Sequence, residues 1–152
     1  MTWALALSGG GARGAYIAGV QRYLFTELPK KLGHTPFPDF VSGVSVGAIN
    51  GYFAATHSHH EIQRMTDIWT NLHISDMYNL PTGPLSFIRH LMRTTKLMSL
   101  VDTKPFIEFV QKEAARRTIR HSINPYQCQG FLVSATHMYS GRMTTFADVA
   151  DE

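Results

Sequence analysis

Five residues in the first third of the chain, Gly43-Val44-Ser45-Val46-Gly47, form a G-x-S-x-G pattern. A nucleophilic serine has to stand clear of a sheet on a sharp strand-to-helix turn, and a glycine two positions to either side lets the chain pass itself. The apolar pair Phe40-Val41 precedes the pattern, and Ala48 to Ala55 follows it as a predicted buried helix. The pattern therefore predicts a catalytic Ser45. The alternative is a tight glycine turn whose serine only caps the helix.

A second glycine-rich turn, Gly9-Gly10-Gly11-Ala12-Arg13-Gly14, matches G-x-G-x-x-G. After a strand and before a helix, this pattern can bind a dinucleotide, but that use needs an acidic residue at the end of the second strand, and Asp39 comes before it. A nucleotide-binding domain is therefore the less favoured alternative. The loop is better suited to an oxyanion hole, in which the amides of residues 10–12 stabilise a tetrahedral intermediate. Arg13 could steady the loop, attract an anionic substrate or be an ordinary surface residue.

Both turns need a strand before them and a helix after them. The apolar run Trp3 to Leu7 predicts the first strand. After Gly14, apolar residues recur at helical spacing until Pro29, which we expect to end the helix; they are Ile17, Val20, Leu24 and Leu28. Two strand–turn–helix units in succession indicate an α/β fold with a parallel sheet.

The rest of the chain continues the alternation of helices and strands. A third helix has its apolar face at Ile62, Met65, Trp69 and Leu72, and a short basic amphipathic helix follows at Leu85 to Met92. A fourth helix is N-capped by Asp102, has Pro105 in its first turn, and has its apolar face at Phe106, Phe109, Val110 and Ala114. Two strands then follow, Phe131 to Ala135 and Arg142 to Phe146, joined by a hairpin turn at Tyr139-Ser140-Gly141.

Composition limits the class of protein. The 152 residues, 44% hydrophobic and 16% charged, fit one ordinary globular domain and not a disordered chain. The single cysteine, Cys128, excludes an internal disulfide and is expected in the core. No run approaches the roughly 20 apolar residues of a membrane span, and no basic leader precedes an apolar stretch. We expect a cytoplasmic protein. Its net charge of +3 is typical of an ordinary surface; the alternative is a weak attraction to phospholipid head groups or nucleic acid.

Together and in this order, the two glycine motifs resemble the patatin-like phospholipase family. Leu7 to Ala15 is similar to the family's opening signature, and Ser42 to Gly51 is similar to its nucleophile segment. Ser134 to Gly141 resembles a weaker family element, a strand followed by a turn. The resemblance implies a three-layer α/β/α sandwich with a mainly parallel sheet. It also implies a lipid acyl hydrolase that works through an acyl-enzyme on Ser45, with an aspartate as base, a lipid or phospholipid substrate, and no metal or organic cofactor. Separately from the resemblance, we expect peripheral membrane contact and no nucleic acid partner.

The sequence departs from the family pattern at the base. The family's aspartate lies in an Asp-Gly motif after the nucleophile, and no Asp-Gly pair occurs among the 152 residues. We therefore expect a single domain over residues 1–152 that stops before this motif. The nearest aspartates by position, Asp148 and Asp151, are more typical of a polar chain end. A serine without a positioned base is a weak nucleophile, so we expect little turnover. The alternative is a lipid-binding or regulatory module.

Three further features suggest sites but have simpler explanations. His57, His59 and His60 cluster like metal ligands, but we expect them to be exposed at a helix end. His137 follows a strand and could serve as a base for Ser45, an interpretation that we do not favour. The basic amphipathic stretch from Leu85 to Lys96 could lie on a membrane or form a lid, but packing on its own core is expected.

Overall fold

The structure, a computed structural model, describes residues 2–73, 104–116 and 119–151. It contains two compact units, Met1–Asn71 with Thr118–Glu152, and Leu72–Arg117. The first unit holds four strands, four α-helices and shorter turns; the second holds one described helix. The strands are β1 (Ala4–Leu7), β2 (Phe40–Val44), β3 (Gly130–Thr136) and β4 (Met143–Val149), and the helices are α1 (Gly14–Arg22), α2 (Pro29–Leu32), α3 (Val46–Ala55), α4 (His59–Asn71) and α5 (Lys104–Arg116).

The four strands form one sheet in the order β1-β2-β3-β4. The first three strands are parallel, and β4 runs antiparallel to β3 as the second arm of a hairpin. In the register, Leu7 lies beside Gly43 and Gly43 beside Val133. The carboxyl ends of β1, β2 and β3 therefore meet at one edge of the sheet, which we call the elbow edge. The opposite edge, where these strands begin, is the starting edge.

Helix α3 covers the sheet face that carries Leu5, Val41 and Phe131. Gly51 permits the close approach, because a Cβ there would lie 3.0 Å from Val41 Cγ1. Helices α1 and α4 pack in turn on α3. The α/β class with a mainly parallel sheet and flanking helices is thereby confirmed. The described residues supply a helical layer on this face, whereas Ala4, Ala6 and Val44 on the other face are exposed.

The buried side of α1 differs from the predicted one. Its buried residues are Gly14, Ala18 and Gln21, whereas the predicted Ile17 is half-buried and Val20 is 41% exposed. The small residues Gly14 and Ala18 face inward because α1 packs closely against both α3 and α4. The chain then continues through a π-helical turn, Tyr23–Glu27, and Pro29 does not end the helix but occupies the first turn of α2, a position where its missing N–H costs nothing.

Most other predicted elements are confirmed. Ile62 and Met65 are buried on α4, and strand β3 covers the predicted Phe131 to Ala135. The hairpin turn contains Gly141 with a positive φ of 65°. Cys128 is buried as predicted, and burial raises the pKa of its thiol.

Helix α5 agrees in position with the predicted fourth helix, and Phe109 and Val110 are half-buried along it. The side chains of Phe106 and Ala114 lie outside the described set. So do the predicted short helix, Leu85 to Met92, and the predicted cap Asp102. The prediction of one domain over residues 1–152 remains a prediction.

Candidate active site

Ser45 occupies a strained turn between β2 and α3. Its backbone has φ 54° and ψ −128°, a conformation that L-residues rarely adopt. The neighbouring glycines are required by sterics: a Cβ on Gly43 would lie 2.5 Å from Ala48 Cα, and one on Gly47 would lie 2.6 Å from the Ser8 carbonyl oxygen. Ser45 itself is exposed at the elbow edge. The G-x-S-x-G segment therefore forms a sharp strand-to-helix turn with its serine exposed.

The flanking elbow residues Val44 and Val46 have different surroundings. Val44 ends β2 and is 45% exposed on the open face of the sheet, whereas Val46 begins α3 and is 4% exposed. The first turn of α3 begins at the serine, since the Ala48 amide donates to the Ser45 carbonyl oxygen at 2.9 Å. The positive end of the α3 dipole thus lies at the serine and favours negative charge there.

The glycine loop passes directly beside the Ser45 hydroxyl. A Cβ on Gly9 would lie 3.2 Å from Ser45 Cβ and 3.9 Å from its Oγ. The loop continues into a 3₁₀ turn, Gly11–Arg13, which is closed by a 3.1 Å hydrogen bond from the Arg13 amide to the Gly10 carbonyl. Gly11 has a φ of 56°. Residues 9–13 are all exposed, and the described residues provide no acceptor for the amides of residues 10–12.

Two residues that the sequence did not single out tie this loop to α3. Asn50 and Trp69 form a chain of hydrogen bonds that ends on the Gly14 carbonyl, at the start of α1. Asn50 lies inside the segment that resembles the nucleophile motif, but a lone helical asparagine carries no signal of its own. Trp69 was predicted only as part of an apolar helix face.

His137 follows β3 past the elbow edge, whereas the candidate aspartates lie at the starting edge. His137 Nδ1 is 2.9 Å from Ser140 Oγ in its own hairpin turn. Asp148 pairs with Phe131 and Phe131 with Val41, so Asp148 lies near the starting edge, with Asp151 beyond it. Ser45 Oγ makes no hydrogen bond within the described parts of the chain.

Asp39 also lies at the starting edge, where it joins three strands. Its carboxylate accepts the Trp3 amide at 2.8 Å, and its carbonyl accepts the Gln129 amide at 2.6 Å. The glycine loop is at the elbow edge. Asp39 is therefore remote from the place where a dinucleotide-binding loop would need its acidic residue.

The three clustered histidines separate in the structure. His60 is 85% exposed at its side chain, but the predicted exposure is wrong for His57, which stacks on Phe37 at 4.8 Å and bonds the Pro38 carbonyl at 2.8 Å. Burial lowers the pKa of His57, although the Pro38 carbonyl and the Asp39 charge act in the opposite direction. His59 bonds the Thr35 hydroxyl at 3.0 Å. Over the described residues, no group of three His, Cys, Asp or Glu side chains could hold a metal ion.

The fold and the elbow together define an α/β protein with an exposed serine between a parallel strand and a helix. A sequence model of one family, Patatin-like phospholipase, matches residues 5–150. The chain therefore belongs to the patatin-like phospholipase family, a family of lipid acyl hydrolases, and lipid is the substrate class that membership implies.

Two further comparisons add no relative. No curated protein matches the chain significantly. No solved structure does so either. Within the part of the chain that the structure describes, no helix is long and apolar enough to cross a membrane.

Proposed function

We propose that this chain is the nucleophile-bearing domain of a lipid acyl hydrolase that cleaves carboxylic esters of lipids through an acyl-enzyme on Ser45. One observation carries the proposal: Ser45 stands exposed at a positive φ of 54°, with the Gly9 backbone beside its hydroxyl. A strained serine at a strand-to-helix turn next to a glycine loop is the arrangement that acyl transfer requires. Membership of the patatin-like phospholipase family supports it.

The proposed reaction has two halves. In the first, Ser45 Oγ attacks the ester carbonyl carbon and passes its proton to a base, which the resemblance to the family makes an aspartate, and the carbonyl oxygen becomes an oxyanion. The amides of residues 10–12 and the α3 dipole stabilise that charge. The C–O bond to the lipid alcohol then breaks, and the alcohol leaves with the proton from the base. In the second half, the base takes a proton from water as the water oxygen attacks the acyl-serine carbonyl. The fatty acid then leaves, and Ser45 Oγ regains its proton from the base.

A second candidate function is a lipid-binding or regulatory module with weak turnover. It is favoured by the absence of any hydrogen bond to Ser45 Oγ from the described residues. A serine lacking a positioned base loses about 10²–10⁴-fold in rate. Such a module would still present the elbow and the glycine loop.

A fluorophosphonate probe tests the nucleophile. We expect labelling at Ser45, located by peptide mass spectrometry, and none in Ser45→Ala. Ser140→Ala is the matched control, because Ser140 is an exposed serine that contacts a histidine yet lies outside the elbow; its labelling should equal that of wild type. A chain whose Ser45 takes up no probe would contradict the proposal.

Turnover separates the two candidates. Hydrolysis of a fatty-acyl p-nitrophenyl ester that disappears in Ser45→Ala supports the hydrolase. Labelling without such hydrolysis supports the binding module.

We further propose peripheral membrane contact through the tip of the β3–β4 hairpin. Val44, the last residue of β2, lies beside Ser134 in the register, so β3 continues past the elbow edge before the chain turns. The tip exposes Met138 (63%) and Tyr139 (86%), and Arg142 is exposed beside them. Residues 137–143 include no acidic side chain. Aromatic and basic side chains at one tip suit an anionic lipid interface.

Sedimentation with vesicles of phosphatidylcholine and phosphatidylglycerol tests this contact. We expect Tyr139→Ser to weaken partition onto the vesicles about threefold to tenfold, because it removes an aromatic side chain that would be buried in the lipid interface. Tyr126→Ser is the control, because Tyr126 is 96% exposed but precedes β3 at the starting edge. Equal partition of the two variants would refute the role of the tip.

A further inference from the structure

Asn50 lies on α3, five residues after the nucleophile, and is completely buried. Its Nδ2 donates to the Gly14 carbonyl at 2.8 Å, and its Oδ1 accepts the indole N–H of Trp69 at 2.8 Å. The indole nitrogen can only donate, so it fixes which end of the Asn50 amide carries the oxygen. The other end must then face the Gly14 carbonyl as a donor. Each end of the amide is thus held by one hydrogen bond, the nitrogen by α1 and the oxygen by α4.

Packing holds Gly14 in the same place. A Cβ on Gly14 would lie 2.7 Å from Trp69 Cη2 and would also overlap Val46 Cγ2. Trp69 and Val46 therefore occupy the space that a side chain on Gly14 would need. Gly14 is both the last residue of the glycine motif and the first residue of α1. Val46 directly follows the nucleophile, so the two halves of the site meet at this contact.

We infer that Asn50 is a positioning residue: through Gly14 and Trp69 it sets the glycine loop at the correct separation from Ser45. This inference rests on the proposed role of Ser45 as nucleophile. Asn50 touches no reacting atom. Its loss leaves the serine in place but shifts the amides of residues 10–12 away from the developing oxyanion. A shift of about 1 Å at such a site can cost on the order of 10²-fold in rate.

Two variants break the chain of hydrogen bonds at different points. Asn50→Asp keeps the size and the acceptor for Trp69, but it turns a carboxylate oxygen toward the Gly14 carbonyl. Trp69→Phe keeps a ring over Gly14 and removes only the N–H. Thr56→Val is the matched control: Thr56 is buried directly after α3, at the end far from Ser45, and its hydroxyl donates to the Phe53 carbonyl at 2.7 Å.

The readout is fluorophosphonate labelling, resolved into the inactivation rate constant kinact, the binding constant KI and the final number of labels per chain. For Asn50→Asp we expect kinact to fall about 10- to 100-fold with KI changed by less than about twofold. The kinact of Trp69→Phe should also fall, whereas Thr56→Val should keep the wild-type kinact. All folded variants should still reach one label per chain.

The possible outcomes are distinct. A lower final label number with an unchanged kinact means fewer folded molecules, and it overturns the inference in favour of a purely structural Asn50. The same conclusion follows if Asn50→Asp and Trp69→Phe both behave like Thr56→Val. If Asn50→Asp does not fold, Trp69→Phe alone decides by the same measure. A wild-type chain without label refutes the proposed function and the inference with it, whereas a labelled wild type with unaffected variants refutes the inference alone.

Discussion

Ser45 and His57 are the non-glycine residues with positive φ in the described parts of the chain, and they lie at the two ends of α3. Each such conformation costs about 1–3 kcal/mol unless the surroundings impose it. At Ser45 the glycine contacts impose it. At His57 the stack on Phe37 and the bond to the Pro38 carbonyl do so. The sequence showed the first through its glycines. It could not show the second, because a histidine beside two others gives no sign of burial.

We expect the partial burial of His57 to make stability depend on pH. Its pKa is lowered in the folded state, so the unfolded chain takes up the proton first as the pH falls. The stability is complete above the ordinary histidine pKa of about 6.5 and is lost as the pH falls from there through the lowered folded value. We expect the free energy of unfolding in urea to drop more between pH 7.5 and 5.5 for wild type than for His57→Asn.

His60→Asn is the control for this titration. The His60 side chain is 85% exposed and lies outside the stack on Phe37, so this variant should leave the contacts of His57 unchanged. Asparagine tolerates the positive φ at position 57, which limits the backbone cost of the test variant. Parallel loss of stability in wild type and His57→Asn would show that His57 is not the titrating group.

At the scale of elements, the contact that places the site is the first turn of α3 against the end of β1. A Cβ on Gly47 would meet the Leu7 and Ser8 carbonyl oxygens, which are backbone atoms and cannot swing aside. Alanine is favoured over glycine within a helix by up to about 1 kcal/mol. We nevertheless expect Gly47→Ala to destabilise the fold by about 1–3 kcal/mol in urea, because overpacking dominates.

Gly19→Ala is the matched helix control. Gly19 lies inside α1, and a Cβ there would have no neighbour within 4 Å. It should raise stability by about 0.5–1 kcal/mol. If both variants stabilise the protein, α3 can move away from β1, and the close approach is not required.

The elements themselves were largely predictable, and the exceptions share a cause. Short apolar runs before glycines gave β1 and β2, and the glycine in the hairpin gave the β3–β4 turn. The buried face of α1 was missed because apolar periodicity weights large residues, whereas close packing of helices selected Gly14 and Ala18. Pro29 after an apolar helix face predicts a helix end. Its observed place in the first turn of α2 depends on the π-helical turn before it, which the apolar spacing does not indicate.

At the scale of the whole molecule, the repeated strand–turn–helix units predict a parallel sheet. They do not predict which later strand pairs with β2 to extend it. Strand β3 comes from far along the chain, and Gln129 and Asp39 meet across 90 residues. No local pattern specifies such a pairing. The same long-range pairing placed Asp148 and Asp39 at the starting edge and the serine at the elbow edge. The candidate base Asp148 is thereby separated from Ser45, although it lies within a strand of the same sheet.

The hydrogen bond between Trp69 and Asn50 also has an optical consequence. The chain contains two tryptophans, and one of them lies against the glycine motif. Indole emission changes in wavelength and intensity with hydrogen bonding at Nε1 and with the polarity around the ring. In a Trp3→Phe background, the fluorescence of the remaining indole would report the state of the Gly14 contact directly. The protein thus carries an intrinsic fluorophore at the junction of α1, α3 and α4, where a shift of the glycine loop would be seen without any attached dye.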